Sequence, residues 1–329
     1  MDKVISDFID SINFGEPKTF RNMTVIPLLT QADHVPEFLT LKRALGARLL
    51  VVTEVSASGS VPELLAKNSA DVPVLLLDGE ELTGAKQNRV LNATILLREK
   101  SETVVPVSCT EHGRWHYSKA DFDDSGIVMA RGARENKVKG VTQNLRNDRS
   151  YRSDQGKVWD DIALMSREAG VRSATGAMRD VYESHKAGLD AYIDAFPLRE
   201  AQKGIFILIG GTVVGFDVVA LSSAYADLHT KLVMSYAMDA LVDRRKANGA
   251  DHERSARQFF QAVFLCREEK YRSVGYGTDY RFENETAVGS ALVYLEKVVH
   301  MAFFKTTGPV VTENMSGAGQ RRANRSRRA

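Results

Sequence analysis

Five runs rich in Val, Ile, Leu and Thr crowd into residues 20–117: Thr24 to Leu29, Leu49 to Val55, Val72 to Leu77, Arg89 to Leu97 and Thr103 to Cys109. Branched side chains suit a pleated, half-buried surface, and each run has the length of a strand. The intervals between them are too short for repeated helical crossovers, which parallel pairing requires. Antiparallel pairing in a sandwich or barrel-like sheet follows, with one short helix at Val35 to Leu45.

After Asp121 the period changes. Ser153 or Asp154 is placed to cap a helix whose Val158, Ile162, Met165 and Ala169 recur at helical spacing, with Gly170 to stop it. Met178, Tyr182, His185, Leu189, Tyr192 and Phe196 form a stripe along a helix from about Gly176 to Phe196, facing a core or a second copy of the chain. Ile205 to Ile209 and Thr212 to Val219 flank Gly210 and Gly211, a pair suited to a tight hairpin. Further helices are expected at Ser222 to Asp243 and His252 to Cys266. A strand within Tyr271 to Phe282 precedes a last helix with Val288, Leu292, Leu295 and Val299 on one face. The expected fold is α+β, an antiparallel β-rich N-terminal half packed with a mostly helical C-terminal half carrying a β-hairpin. Residues 1–14 are a leading segment and 15–310 one α+β domain, β-rich over 20–120 and helix-rich over 121–310. Residues 311–329 are expected to be a disordered basic tail.

Charge and cysteine usage narrow the setting. The 44 basic and 42 acidic residues nearly cancel, but Arg321, Arg322, Arg325, Arg327 and Arg328 fall in the last nine positions. Without those five the count is 39 to 42, a mildly acidic body with a basic end. Two cysteines, Cys109 and Cys266, fit a reducing compartment better than a disulfide framework, and acids stand where a secretory signal has its basic start. A cytoplasmic protein is expected. The apolar stretches Gly204 to Leu221 and Val288 to Phe304 are interrupted by Asp217 and by Glu296, Lys297 and His300, so neither reads as a membrane span. Arg131, Arg134, Lys137, Lys139, Arg146, Arg149 and Arg152 give a helix with a cationic side, read as solvated. No nucleic-acid-binding motif accompanies it, and nucleic acid is not an expected partner.

The segment from Asp78 to Trp115 carries the most chemistry. A buried-looking strand ends in Asp78, Glu80 and Glu81, passes a glycine-flanked turn, and re-enters a strand through Lys86, Gln87, Asn88 and Arg89. Period-two alternation puts Leu91, Ala93, Ile95 and Leu97 on one face and Lys86, Asn88, Asn92 and Thr94 on the other. Donors beside acceptors suit a small polar ligand with hydroxyl and phosphate groups. Uncharged Gln87, Asn88 and Asn92 are poor strand formers, so a solvated hairpin does not account for them.

The runs Leu75 to Asn92, Val105 to Tyr117, Ser153 to Ala163, Ile209 to Val218 and Ser235 to Leu241 resemble, in that order, the ARG and Rhodanese-Phosphatase-superfamily-associated protein domain family. The resemblance implies motif positions at Asp78, Glu80, Glu81, Lys86, Gln87, Asn88, Arg89, Asn92, Glu111, Arg114 and Trp115, in a setting of NAD or ADP-ribose derivatives. His112 and His116 depart from the family pattern, which argues against a metal site built on them, and no metal or cofactor is assigned. Cys109 and Arg114 have the spacing of a rhodanese-like anion loop, but Glu111 between them would repel an anion. The reading that follows is a protein binding or hydrolysing a nucleotide-derived ligand at the Asp78 to Asn92 surface. Glu80 or Glu81 acts as acid or base, Lys86 and Arg89 hold phosphate, and Asn88 and Asn92 orient hydroxyls. The competing reading is a non-catalytic interaction module in which the same residues form a structural polar network.

Overall fold

The computed structural model describes residues 1–31, 35–56, 60–117, 119–246 and 251–306. The expected basic tail, 311–329, lies outside the described residues. All five N-terminal runs form strands, and three of them, Leu49 to Val55, Thr103 to Cys109 and the first part of Arg89 to Leu97, enter the antiparallel barrel. Its ladder runs Phe122–Val128, Glu80–Gly84, Arg89–Leu91, Ser101–Cys109, Glu63–Asn68 and Leu50–Glu54, all antiparallel neighbours. A bridge between Thr53 and Asp121 joins the first strand's approach to the last strand and closes the circuit. Leu50, Val52, Leu64, Leu82, Leu91, Val105 and Phe122 fill the interior, and the helix Leu41–Gly46 packs on the same core. That helix is shorter than expected, because Thr40 caps it and the chain before it is extended. The Arg89 to Leu97 run splits at Asn92–Thr94. Ile95–Leu97 leaves the barrel to pair with Val74–Leu76, which in turn pairs in parallel with Leu39–Thr40.

The expectation of a mostly helical C-terminal half is overturned. Among the described residues, a nine-stranded antiparallel sheet is built chiefly from that half. Its path runs Asn13–Phe14, Met23–Leu29, Gln202–Ile209, Thr212–Val219, Lys297–Lys305, Ala287–Tyr294, Thr278–Glu283 and Arg267–Arg272, with Lys18–Phe20 also on Met23–Leu29. The expected last helix is a hairpin of two strands, Ala287–Tyr294 and Lys297–Lys305. Its Val288, Leu292 and Val299 do reach the core, but Leu295, expected on the same face, is exposed in the turn, so the helical spacing had the period wrong and the burial right at three of its four positions. The signal for a turn is hidden, because Leu295 and Glu296 take φ of 49° and 57° without a glycine. The other hairpin turns as expected, with Gly210 and Gly211 at φ 57° and 73°.

Helices cover the two faces of this sheet. Lys3–Asp10, within the leading segment, and His252–Phe264 bury Ile5, Phe8, Phe259 and Phe260 against Phe206, Phe216 and Phe303 on one face. Arg131–Asp148, Gln155–Glu168 and Ser222–Val242 lie between the other face and the barrel, over Ile205, Ile207, Val288 and Phe304. Asp154 caps Gln155–Glu168 through Lys157 N–H, as its sequence suggests. The Gly176 to Phe196 stripe is buried but its helix breaks at His185 (φ −105°, ψ 13°) into Met178–Ser184 and Lys186–Ala195. The His185 ring donates from Nε2 to the Ala169 carbonyl at 2.9 Å, tying the break to the end of the preceding helix. No helix of the described residues is long and apolar enough to cross a membrane.

Candidate functional site

The segment read as a functional surface is for the most part interior. Asp78, Glu80, Glu81, Arg89 and Asn92 are all buried. They sit where barrel strands back onto the helices, and burying a charge there demands a partner. Asp78 receives Lys137 Nζ and lies 3.6 Å from Arg134 Nε, both from Arg131–Asp148. The cationic side of that helix is thus solvated only in part: Arg131, Arg134 and Lys137 are buried, while Arg146, Arg149 and Arg152 are exposed. Arg134 continues to Asp217 through two bonds of 3.0 and 2.7 Å, and Asp217 also accepts from Tyr236 at 2.7 Å. His300 Nε2 is 3.3 Å from Asp217, and its Nδ1 meets the Thr94 hydroxyl at 2.9 Å. Burial works against the Asp217 carboxylate, but Arg134 and His300 outweigh it and hold the group far below the usual carboxylate range.

Glu80 belongs to the same architecture. One oxygen accepts from Lys231 Nζ at 2.7 Å and the other from the Leu77 amide at 2.8 Å. Lys231 also binds Asp124 at 2.7 Å, and these two carboxylates keep its ammonium charged despite burial. The trio fastens barrel strands Glu80–Gly84 and Phe122–Val128 to the helix Ser222–Val242. Asn92 accepts from the Ser108 hydroxyl at 2.7 Å and donates to the Tyr151 carbonyl at 3.2 Å.

Glu81 is different. It is fully buried; the Thr110 hydroxyl donates to Oε1 at 2.7 Å and the Ser125 hydroxyl lies close by, while Oε2 has no partner in strict bonding geometry among the described residues. Burial pushes the carboxyl up to about 7, a shift the Thr110 and Ser125 hydroxyls and the more distant Arg179 charge offset only in part. A carboxyl poised there can take or give a proton near neutrality.

Beside Glu81 opens a polar cleft of about 370 Å³, floored by Thr83 and Gly84 of its own strand and walled by Asn88, Glu111, Arg114, Arg179, Asp180 and Glu183. Thr83 stands two residues from Glu81 and shares its side of the strand. At the mouth, Arg114 donates to Glu111 Oε2 at 2.8 Å, to Asn88 Oδ1 at 3.0 Å and to the Ala85 carbonyl at 2.9 Å. Thr175 donates to the other Glu111 oxygen at 3.1 Å, so the carboxylate is clamped from both sides. Gln87 donates to the Glu111 carbonyl and accepts from Arg89, each at 2.9 Å. Lys86 lies 5.3 Å from the Trp115 ring centre and 5.2 Å from that of Tyr117, outside the cleft wall.

Of the residues expected at one surface, the structure brings Asn88, Glu111 and Arg114 to one cleft with Glu81 behind it. It sends Asp78, Glu80, Gln87, Arg89 and Asn92 into buried contacts and leaves Lys86 and Trp115 at a neighbouring loop. Sequence reasoning missed Arg179, Asp180 and Glu183, which look like an ordinary exposed helix turn. It also missed the Asp217–His300 pair, although a charged residue inside the apolar run Thr212–Val219 was a visible signal. Cys109 is buried; burial pushes its thiol up, and its Sγ meets Gln87 Oε1 and the Glu111 carbonyl at 3.2 Å. The described residues hold no group of three or more His, Cys, Asp or Glu able to bind a metal.

Glu81, Asn88, Glu111, Arg114 and Asp217 fall in the stretches that carried the family resemblance, and the extent of the match decides membership. Residues 11–304 match the ARG and Rhodanese-Phosphatase-superfamily-associated Protein domain. The chain belongs to this family. The matched span includes both the barrel and the nine-stranded sheet from Met23 to Phe304, so the buried ionic seam between them is internal to the family domain. Comparison with curated proteins and with solved structures gives no match.

Proposed function

We propose that this protein binds a nucleotide-derived ligand, of the ADP-ribose class, in the polar cleft beside Glu81 and hydrolyses it with Glu81 as the proton-transferring group. The observation that carries the reading is the Glu81 carboxyl, raised to about 7 and left with one unpartnered oxygen behind a cleft of about 370 Å³. Burial also pushes Asp239 up, to about 6, but that carboxyl accepts from the Gly132 amide at 3.0 Å and lines neither this cleft nor its larger neighbour. Arg114 and Arg179 offer guanidinium donors for phosphate, and Asn88, Thr83 and Asp180 match sugar hydroxyls. A protonated Glu81 donates to a leaving oxygen; ionised, it accepts a proton from water, which supplies the hydroxyl. Glu80 has no part in this step, since both its oxygens are occupied.

The test is a thermal-shift series with ADP-ribose, NAD and ribose 5-phosphate, followed by product analysis for whichever raises the transition. Arg114→Met is expected to abolish the shift, and Glu81→Gln to keep binding while stopping turnover. Turnover by Glu81→Gln at the wild-type rate would remove Glu81 from the chemistry. The alternative, a non-catalytic module, is favoured by one observation, the commitment of Asp78, Glu80 and Arg134 to buried ion pairs. A flat series with all three compounds would select it.

A further inference from the structure

A second cavity, of about 1100 Å³ and so roomier than the polar cleft, lies on the far side of the 111–113 segment. Three pieces of chain line it. The helix Gln155–Glu168 contributes Trp159, Ala163 and Arg167, spaced four apart and so aligned on one face. The segment that follows, from Gly170 to Gly176, folds back and supplies Arg172. The barrel side supplies His112, whose ring stands edge-on to Trp159 with centroids 4.3 Å apart. The wall between the two cavities is thin and fixed: the Gly113 amide donates to the Thr175 carbonyl at 2.7 Å, and Glu111 bridges Ala177.

The two cavities differ in how their charges are satisfied. In the polar cleft Arg114 pairs with Glu111, Arg179 with Glu183 and Lys119 with Asp123. In the larger one, Arg167 and Arg172 are exposed and form no ion pair among the described residues, against a single lining acid, Asp160. Aromatic surface beside two uncommitted guanidinium groups is a recognition chemistry for a planar ring that carries negative charge. A volume of this size admits such a molecule whole.

We infer that the cavity between Gln155–Glu168 and the 170–176 segment is a binding site for a nucleoside monophosphate, its base against Trp159 and His112 and its phosphate on Arg167 and Arg172. The site does not depend on Glu81 or on the polar cleft. It gives a wholly separate reason for His112 to stand where the family pattern has other polar residues.

The chain has two tryptophans, so Trp115→Phe leaves Trp159 as the sole indole reporter in the full-length protein. AMP titrated into this background is expected to change Trp159 fluorescence saturably. Replacing Arg167 and Arg172 together by Gln removes charge-assisted bonds to phosphate and is expected to weaken AMP at least about tenfold. Both are exposed, so the variant folds. Ala163→Glu, at an exposed helix position, places a carboxylate in the cavity and is expected to abolish the AMP response while sparing that of adenosine. Arg114→Met in the same background is expected to leave AMP affinity unchanged. Absence of a saturable change, equal affinity in the double Gln variant, or loss of the response in Arg114→Met alone would each overturn the inference. The last result would instead place AMP in the polar cleft.

Discussion

Replacing Glu81 by Gln should make this protein more stable at high pH and leave it unchanged at low pH. The carboxyl is wholly buried and its protonation equilibrium rises from an ordinary 4.5 to about 7. Each tenfold change in that equilibrium is worth 1.36 kcal/mol, so ionising Glu81 inside the fold costs about 3.4 kcal/mol more than ionising it in the unfolded chain. The sign follows from proton binding. Below pH 4.5 both states are protonated and no cost arises; between 4.5 and 7 only the folded state holds the proton, so stability falls as pH rises; above 7 the full cost is present. Gln keeps the shape and accepts from Thr110 without ever carrying charge. Urea unfolding of both proteins from pH 5 to pH 8.5 should show Glu81→Gln gaining about 3 kcal/mol over wild type across that range. A gap that stays constant with pH, or a variant less stable than wild type at pH 8.5, would show that Glu81 is held ionised by partners, and the proton-transfer role would fall with it.

Three further outcomes follow from the geometry. Asp217→Asn removes the bidentate counter-charge of buried Arg134, leaving it only Asp78 at 3.6 Å, which Lys137 already shares, and should cost roughly 3 kcal/mol at neutral pH, a loss under about 1 kcal/mol refuting the pairing. Because the Asp217 equilibrium is depressed, the wild-type contribution is present above the ordinary carboxylate range and fades as pH falls below it, so the cost of the substitution should shrink in acid. Gly84 has φ +145°, and a Cβ there would stand 2.2 Å from the Asp121 carbonyl at the barrel's closing bridge; Gly84→Ala should lose at least about 2 kcal/mol by denaturant midpoint, and a silent substitution would mean the bridge is loose. Cys109→Ser should retain any binding or turnover found for the wild type, since a buried thiol pushed up by burial is a poor nucleophile; loss of turnover at unchanged stability would restore a thiol mechanism.

The barrel was legible because its signals are local: β-branched runs, alternation, and glycines where turns fall. Leu91, Ile95 and Leu97 face the barrel core as alternation places them, while Val90 and Leu96 face the helices. The C-terminal sheet was not, because Val288, Leu292 and Val299 satisfy a helical spacing as well as a strand pairing and the Leu295–Glu296 turn lacks the residue types that mark one. At the site, composition identified a polar segment but could not tell a solvated carboxylate from one whose partner lies far along the chain. Lys231 is 151 residues from Glu80, and Asp217 83 from Arg134. Long-range pairing of this kind leaves no trace in local sequence, whereas Asn88, Glu111 and Arg114 come together across adjacent strands and short loops.

The strand Met23–Leu29 lies between Lys18–Phe20 and Gln202–Ile209, and its partner on the latter side is separated from it by 173 residues, from Leu29 to Gln202. On a ribosome adding about 5–20 residues per second, that edge waits roughly 10–35 s for its neighbour to be made. By then residues 50–128 can have closed their barrel, since every strand in it is complete. An N-terminal strand of Val25, Ile26, Pro27, Leu28 and Leu29 therefore spends that interval with an open apolar edge, the condition under which nascent chains are captured by holdases or pair with one another. The Pro27 carbonyl accepts from the Gly15 amide, so its missing donor falls on the edge already paired and the waiting edge keeps its full run of donors.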